Sequence, residues 1–363
     1  MIARAVQGDR RTCFPEGADG AQTRDDDHNP KTVRRPSWRS RGEGVTDPSA
    51  PPGLAGELDV LAFAAAELEA GRPAALVTIF GLEGPFSRPL GAQLAVAGDR
   101  RFVGSISGGC LEAALTEECQ AAINAGRNRT LRYGIGSPYL DVRLPCGGGI
   151  DLSVDVDLDP ALLRRAISLG RERKPFSLAF DPHSEHSSLR LEEGFAEAKE
   201  GEFVRPFHPR LRVVLAGRGW EIVALARLAH SSDCEIVVAS QEPATLEFCA
   251  PYADTLIPLT IPTATPPMPL DADTAVACLF HEHEWEGRLL LEALRSPAFY
   301  IGALGSRQTH MRRLEILDAL GASAAQIARL KGPIGLFYSR DPKTLAVSAL
   351  AEILSVRAEQ TGA

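Results

Sequence analysis

The sequence VVLAGRGWEIVALARLA, residues 213–229, decides the fold of the second half of the chain. An apolar run leads into a glycine turn, and apolar residues at helical spacing follow the turn. Gly217 and Gly219 occupy the first two positions of the GxGxxG pattern of dinucleotide-binding turns, but Ile222 stands at the third. This order of strand, glycine turn and helix predicts the first βα unit of a Rossmann-like sheet.

Strand and helix patterns keep alternating from this unit to the end of the chain. Strands are predicted in CEIVVAS, near Leu256, in TAVACLF and in AFYIGAL. Helices are predicted in EIVALARLAH, PATLEFCAPYA and EGRLLLEALRS, and near 306–320, 323–331 and 342–357. Since parallel strands need such crossover helices, residues 210–363 are predicted to form a doubly wound parallel sheet.

The first half of the chain has a different pattern, in which residues 54–160 are predicted to form a small α+β domain. Its elements are helices in LAGELDVLAFAAAELEAGRP and GCLEAALTEECQAAINAG, and strands in AALVTIF, GAQLAVAGDRRFVGSIS, RTLRYGI and IDLSVDVDL. Residues 161–209 are predicted to connect the domains through a helix, a hairpin and a linker marked by Pro206 and Pro209. The fold class is therefore α/β, an α+β domain followed by the doubly wound sheet.

Residues 1–53 are rich in Arg, Asp, Gly, Pro and Ser, and their apolar residues are too sparse to build a core. We expect a disordered extension. A start codon assigned too far upstream would give the same composition, so both explanations stay open.

Composition excludes some classes of protein. The 363 residues carry a formal charge of −8, which argues against nucleic-acid binding because phosphate neutralisation needs a basic surface. No apolar run approaches the roughly 18 residues of a membrane span. The 7 cysteines lack the paired spacings of zinc ribbons and disulfide scaffolds. Reduced thiols in a cytoplasmic protein fit this pattern best.

Cys110 lies behind two glycines in GSISGGCLEAAL. We predict that Ser107 caps a helix and that Gly108, Gly109 and Cys110 form its first turn. Free N–H groups and the helix dipole favour a thiolate at such a position, which could bind a metal or hold sulfur. The alternative is that Cys110 is a small core residue.

A second thiol, Cys146, precedes Gly147 and Gly148 in LPCGGGIDLSVDV. Such a loop lets the backbone approach a ligand closely. Both loop cysteines are therefore candidate cofactor and metal ligands. The other cysteines of the two domains lie in helix or strand patterns, where a buried, inert thiol is expected: Cys119, Cys234, Cys249 and Cys278.

The segment IGALGSRQTHMRRLEIL provides a second turn of the phosphate-binding kind. Gly305 follows a strand, Ser306 can cap the next helix, and Arg307 could meet a phosphate or a carboxylate, although a solvated surface charge is equally compatible. HEHEWEG, residues 281–287, lacks the HExxH spacing of a zinc site, so we expect a loop that lines the ligand site.

These motifs, taken in order, resemble the XdhC/CoxI proteins, which mature xanthine dehydrogenases, carbon-monoxide dehydrogenases and related molybdenum hydroxylases. The matching segments are FSRPLGAQLAVAGDRRFVGSISGGCLEAAL, LPCGGGIDLSVDV, RPFHPRLRVVLAGRG, YIGALGSRQTHMRRLEIL and GPIGLFYSRDPKTLAVSALAEILSVR. The resemblance implies a chaperone that binds the molybdenum cofactor (molybdopterin), protects it during sulfuration by a cysteine desulfurase, and inserts it into an apo-enzyme client. We also expect a homodimer.

The family's SGGC and CGG cysteines correspond to Cys110 and Cys146. Three departures from the family pattern fall on the C-terminal domain: GRGW replaces GAGH, PIGLFYSR replaces PIGLDIGA, and ASQE replaces an acidic pair. They leave open a protein scaffold that has lost ligand binding.

A third hypothesis is an NAD(P)-dependent oxidoreductase that uses the glycine turn at Gly217 and Gly219. The acid expected at the end of the second strand is missing, since that position offers Ala239 and Ser240. The sequence therefore disfavours NAD(P) and favours an accessory protein over a catalyst.

Overall fold

A computed structural model describes residues 55–137, 147–262, 266–281 and 283–361, all within the unit Gly44–Ala363. The predicted extension, residues 1–53, and Cys146 lie outside the described residues. The structure confirms the predicted fold class, an α+β region followed by a parallel sheet.

The N-terminal region is built on a five-stranded antiparallel sheet with two helices. In chain order its elements are α1 (Glu57–Glu69), β1 (Ala74–Glu83), β2 (Gln93–Ala97), β3 (Phe102–Gly104), α2 (Glu112–Ala125), β4 (Arg129–Gly134) and β5 (Gly149–Asp155). The strand order is β3-β2-β1-β5-β4. Alternate residues of β1 face opposite sides, so that Leu76 packs in the core with α1, and Val77 packs in the core with α2.

A small three-stranded sheet connects the two domains. Helix α3 (Pro160–Arg171) leads into β6 (Phe176–Phe180), β7 (Arg190–Glu193) and β8 (Phe203–Phe207), in the order β7-β6-β8. The predicted linker at Pro206 is wrong, because Pro206 lies in β8 opposite Ser177. An edge strand tolerates proline, since one side of its backbone needs no ladder hydrogen bonds.

The C-terminal domain is a six-stranded, fully parallel sheet in the order β11-β10-β9-β12-β13-β14. Its elements are β9 (Arg212–Gly217), α4 (Trp220–Ser231), β10 (Glu235–Ser240), α5 (Pro243–Cys249), β11 (Thr255–Pro258), β12 (Thr274–Leu279), α6 (His283–Arg295), β13 (Tyr300–Ala303), α7 (Arg307–Ala319), α8 (Ala324–Ile327), β14 (Leu330–Lys331) and α9 (Pro342–Thr361). The strand order reverses between β9 and β12, where doubly wound folds bind ligands.

Two predictions about this domain need correction. The helix predicted over 323–331 is shorter in the structure, where α8 ends at Ile327. The chain then turns, and buried Leu330 forms strand β14 by pairing with Ile301 of β13. The HEHEWEG segment is largely helical rather than a loop, since α6 begins at His283.

The two halves meet at the amino-terminal edge of the parallel sheet. Arg173, just after α3, donates hydrogen bonds to Asp271 at 2.7 Å and to Glu235 at 2.7 Å. Arg357 of α9 reaches the carbonyl oxygen of Pro209 at 3.2 Å. The carboxyl ends of the parallel strands lie at the opposite edge of the sheet, away from these contacts.

Candidate functional site

Residues 105–111, between β3 and α2, form a turn that we call the Cys110 loop. Its cysteine is exposed. Gly108 and Gly109 have φ angles of 74° and 115°, which favour glycine, and a Cβ on either residue would meet no atom of the described residues within 4 Å. The described part of the chain therefore leaves space beside the thiol that could receive a bulky ligand.

The helix that follows begins later than predicted. Leu111 is the N-cap of α2, and Cys110 lies two residues before the first helical residue, Glu112. The predicted N-cap, Ser107, accepts a hydrogen bond from the Leu111 amide at 2.7 Å without starting a helix. Cys110 thus belongs to a turn before the helix and not to its first turn.

The Glu112 carboxylate fills the centre of this turn. Its Oε1 atom accepts hydrogen bonds from the amides of Ile106 (3.0 Å) and Ser107 (2.9 Å), and Oε2 accepts from the amides of Gly109 (2.8 Å) and Leu111 (3.2 Å). The amides of Gly109 and Leu111, which flank Cys110, therefore already have an anionic partner within the chain, and the Gly108 amide donates to the Ser105 hydroxyl.

Glu112 is only 6% exposed. Burial alone would raise its pKa, but hydrogen bonds from Ser107 and from the loop backbone outweigh that effect and lower the pKa to about 2. The carboxylate is consequently ionised at neutral pH. Sequence reasoning missed Glu112, although its spacing with Leu115, Thr116 and Cys119 places it on the buried face of α2.

Arg88 is a second residue that sequence reasoning missed. It lies in the connection between β1 and β2, and its Nη2 atom donates to Ser105 Oγ at 3.2 Å. The same hydroxyl accepts from the Gly108 amide at 3.1 Å and donates to Glu112 Oε1 at 3.1 Å. A guanidinium group is therefore held against the Cys110 loop.

The glycines that follow Cys146 lie at the same end of the five-stranded sheet as the Cys110 loop. Gly149 pairs with Glu83 at the end of β1, and a Cβ on Gly84 would lie 3.5 Å from Gly148 Cα. Gly147 has a φ of 67° and faces open space. The strand register thus brings the Cys110 loop and the glycines at 147–149 to one end of the sheet, separated by β2 and β1.

The glycine turn after β9 lies at the carboxyl edge of the parallel sheet. Gly217 has a φ of 148°, and its Cβ would lie 2.6 Å from the Leu279 backbone, so the close approach of β9 and β12 requires glycine. The Gly219 amide donates to Thr245 Oγ1 at 2.9 Å, and the Thr245 hydroxyl donates to Glu242. This turn is thus satisfied by side chains of α5 and its N-cap.

The second predicted turn lies at the same edge, after β13. Ser306 is the N-cap of α7 and accepts from the Thr309 amide at 3.1 Å, as predicted. Gly305 has a φ of 143°, and Arg307 is exposed. A crevice of about 410 Å³ opens at this edge where the strand order reverses, lined by Arg218, Gln241, Glu242, Pro243, Glu284 and Trp285.

The contacts between the two halves of the chain lie at the opposite edge of the parallel sheet from these turns. The sequence also predicts a single cleft, in which these turns close over Cys110 and Cys146. That cleft stays a prediction, because Cys146 lies outside the described residues. A larger cavity, about 730 Å³, lies between the halves beside Arg173, His208 and Phe299, away from every predicted site residue.

Comparison with known proteins relates this architecture to a family. Residues 67–134 match the XdhC and CoxI family, and residues 213–353 match the XdhC Rossmann domain. The molybdenum cofactor insertion chaperone PaoD of Escherichia coli is 35% identical over 302 residues, 83% of this chain and 89% of PaoD. The chain belongs to the XdhC/CoxI family.

Two more distant proteins are also similar to this chain. A probable subunit of xanthine dehydrogenase from Bacillus subtilis is 24% identical over 80% of this chain and 95% of its own length. The crystal structure of a xanthine dehydrogenase from Bacillus halodurans superposes with a TM-score of 0.68 at 20% identity, covering 82% of this chain and 96% of that one. The last match concerns the fold alone.

The departures from the XdhC/CoxI pattern place aromatic side chains on the carboxyl edge. Trp220, which replaces the family's histidine, is 62% exposed, and its ring lies 5.2 Å from that of Phe248. Phe337 and Tyr338 are also exposed, in the segment before α9. This edge therefore exposes aromatic side chains of the described residues to solvent.

Other predictions about reactive groups can be compared with the structure. Cys119, Cys234, Cys249 and Cys278 are buried, as predicted, and burial raises the pKa of Cys119 to about 12. Among the described residues, no group of three or more His, Cys, Asp or Glu is arranged to hold a metal ion. No helix in the described ranges is both long and apolar enough to cross a membrane.

Proposed function

We propose that this chain binds the molybdenum cofactor, protects it during sulfuration, and inserts it into an apo molybdenum hydroxylase of the xanthine dehydrogenase or CO dehydrogenase type. The observation that carries the proposal is the exposed Cys110 thiol beside open space, in a chain 35% identical to a molybdenum cofactor insertion chaperone. The role is that of an accessory protein and not of a catalyst.

The chemistry of the Cys110 loop suits such a cargo. Thiolates are soft ligands with affinity for molybdenum and for transferred sulfur. Arg88 supplies a cation beside the loop that can pair with an anionic group of the cofactor, and Gly147 and Gly148 leave a second approach at the same end of the sheet. We propose that Cys110 and Cys146 are the metal ligands.

The partners follow from this role. A cysteine desulfurase would supply the sulfur, and the apo-enzyme would receive the cofactor, both in the cytoplasm. We further propose a homodimer. A second copy would allow the Cys110 loop of one chain to face Gly217, Gly219 and Arg307 of the other.

The alternative is an NAD(P)-dependent oxidoreductase, which the crevice at the strand-order reversal favours. Two observations argue against this alternative. The Gly219 amide is already used by Thr245, and Ile222 is fully buried where dinucleotide-binding turns require glycine. We therefore rank this alternative second.

The experiment that tests the proposed function is purification with cofactor biosynthesis intact, followed by assays of bound molybdenum and of oxidised pterin. We expect both to co-purify in comparable amounts. If neither molybdenum nor pterin exceeds the background level and the protein binds NAD(P) tightly, the oxidoreductase is favoured.

A further inference from the structure

We infer that Glu112 is a positioning residue that holds the backbone around Cys110 and so fixes the direction in which its side chain leaves the loop. The inference rests on the proposed function of Cys110 but has geometry of its own. The Glu112 carboxylate accepts hydrogen bonds from four backbone amides of the Cys110 loop and from the hydroxyls of Ser105 (3.1 Å) and Ser107 (2.6 Å).

This arrangement differs from ordinary helix capping. A capping side chain precedes the helix and accepts from one amide of its first turn. Glu112 is the first residue of α2, and its side chain turns back to accept from amides that precede it. Its hydrogen bonds therefore order the turn before the helix, where Cys110 lies.

The hydrogen bonds bracket Cys110 itself. Its two neighbours, Gly109 and Leu111, donate their amides to the same atom, Glu112 Oε2, at 2.8 Å and 3.2 Å. With the backbone held on both sides, the Cα–Cβ bond of Cys110 keeps one direction. Because the Glu112 side chain is buried, bulk water competes little for these bonds.

The same carboxylate occupies the loop's anion-binding positions. The amides that bind Glu112 are not free for a phosphate or another external anion. The ligand that approaches this loop therefore meets the Cys110 thiol and the Arg88 guanidinium group, and not a ring of backbone donors. Glu112 thus determines which groups the loop presents to a ligand, and in which direction the Cys110 side chain leaves the backbone.

The test compares Glu112→Gln, Glu112→Asp and Cys119→Ala in the full-length protein. Glu112→Gln keeps the side-chain shape but turns an NH2 group toward amide donors, whereas Glu112→Asp keeps the charge. Cys119→Ala is the matched control, because Cys119 is buried in the same helix and makes none of these hydrogen bonds. The rate of Cys110 alkylation by iodoacetamide is measured peptide by peptide with mass spectrometry, beside the melting temperature.

We expect Glu112→Gln to raise the Cys110 alkylation rate severalfold, because the thiol gains conformational freedom and freed amides can approach it. Glu112→Asp should restore part of the wild-type rate, and Cys119→Ala should lower the melting temperature without changing the rate. If Glu112→Gln does not fold, Ser107→Ala removes the hydroxyl that donates to Glu112 and accepts from the Leu111 amide, and it should give a smaller rise. Equal rates in all folded variants, or rates that simply follow stability, would overturn the inference.

Cofactor retention separates this inference from the proposed function. If the wild-type protein retains no molybdenum or pterin, the proposed function fails, while the alkylation rates still test Glu112. If the wild-type protein retains cofactor, Glu112→Gln should lose it and Cys119→Ala should keep it. Full retention by Glu112→Gln would contradict the positioning role.

Discussion

Gly219 and Thr245 are joined by a hydrogen bond of 2.9 Å from the glycine amide to the threonine Oγ1 atom. In dinucleotide-binding folds, amides of this turn face the pyrophosphate. Here the amide has a partner within the chain, and the Thr245 hydroxyl in turn donates to the Glu242 carboxylate. The Gly219 amide, which would donate a hydrogen bond to a pyrophosphate, is thus already bonded within the chain, and the Glu242 carboxylate lies next to its partner.

We therefore predict that the protein has no dehydrogenase activity and binds NAD(H) and NADP(H) weakly or not at all. A pyrophosphate would have to displace Thr245 and approach Glu242, and buried Ile222 keeps the turn from closing as a glycine would. Calorimetric titration of the purified protein measures this directly. Micromolar affinity for any of these nucleotides would make the oxidoreductase the leading hypothesis.

Arg313 is predicted to be essential for the stability of the C-terminal domain. It is 1% exposed and donates to Glu286 at 3.0 Å and to the Leu304 carbonyl oxygen at 2.6 Å. Arg313→Met leaves the Glu286 carboxylate buried without its arginine, which should cost about 3–5 kcal/mol of unfolding free energy. Urea unfolding measures the loss.

The neighbouring Arg312 provides the control, because it is exposed. Arg312→Met should change the unfolding free energy by no more than about 0.5 kcal/mol. Equal effects of the two substitutions would show that the buried pair has no special role.

Asp155 should make stability depend on pH in the mildly acidic range. Burial raises its pKa to about 6, from an ordinary value of 3.8. The folded state therefore binds the proton more tightly than the unfolded state, so acidification from above pH 6 to below pH 4 stabilises the fold through this group. The shift of roughly two pKa units corresponds to about 3 kcal/mol.

Asp155→Asn removes this titration, so the difference in unfolding free energy between wild type and variant should grow in favour of wild type as the pH falls from 7 to 4. Denaturant unfolding at several pH values gives the difference. A constant difference across that range would contradict the assignment. Glu112 has the opposite effect on stability, because its pKa is lowered from an ordinary value of 4.5 to about 2. Its contribution to stability is lost only as the pH falls through that lower range.

The regular elements were predictable because their patterns are local. Strand β9 is an apolar run that ends at Gly217, where the chain turns. Helix α2 has apolar residues at helical spacing and ends at Gly126, whose φ of 62° favours glycine. The doubly wound order followed from alternating strands and helices. Pro206 was misjudged because local pattern does not reveal that its strand lies at a sheet edge.

The candidate site was only partly predictable. Sequence placed Cys110 after two glycines, but the turn before α2 depends on the carboxylate of Glu112, the first helical residue, whereas the capping box expects such a carboxylate at the third helical position. Arg88 joins the loop through tertiary contacts 17 residues along the chain. The position of Gly219 relative to the Cys110 loop depends on how the two halves pack, which the sequence pattern does not specify.

Binding of the molybdenum cofactor by Cys110 is the central proposal. Its most direct test is the molybdenum and oxidised-pterin content of Cys110→Ser and Cys119→Ser, purified with the wild type from cells with intact cofactor biosynthesis. Cys110 is exposed and Cys119 is buried in the helix that follows, so their substitution separates ligand binding from packing. We predict that Cys110→Ser loses both molybdenum and pterin at an unchanged melting temperature, and that Cys119→Ser keeps them while melting lower. Wild-type cofactor content in Cys110→Ser would contradict the claim.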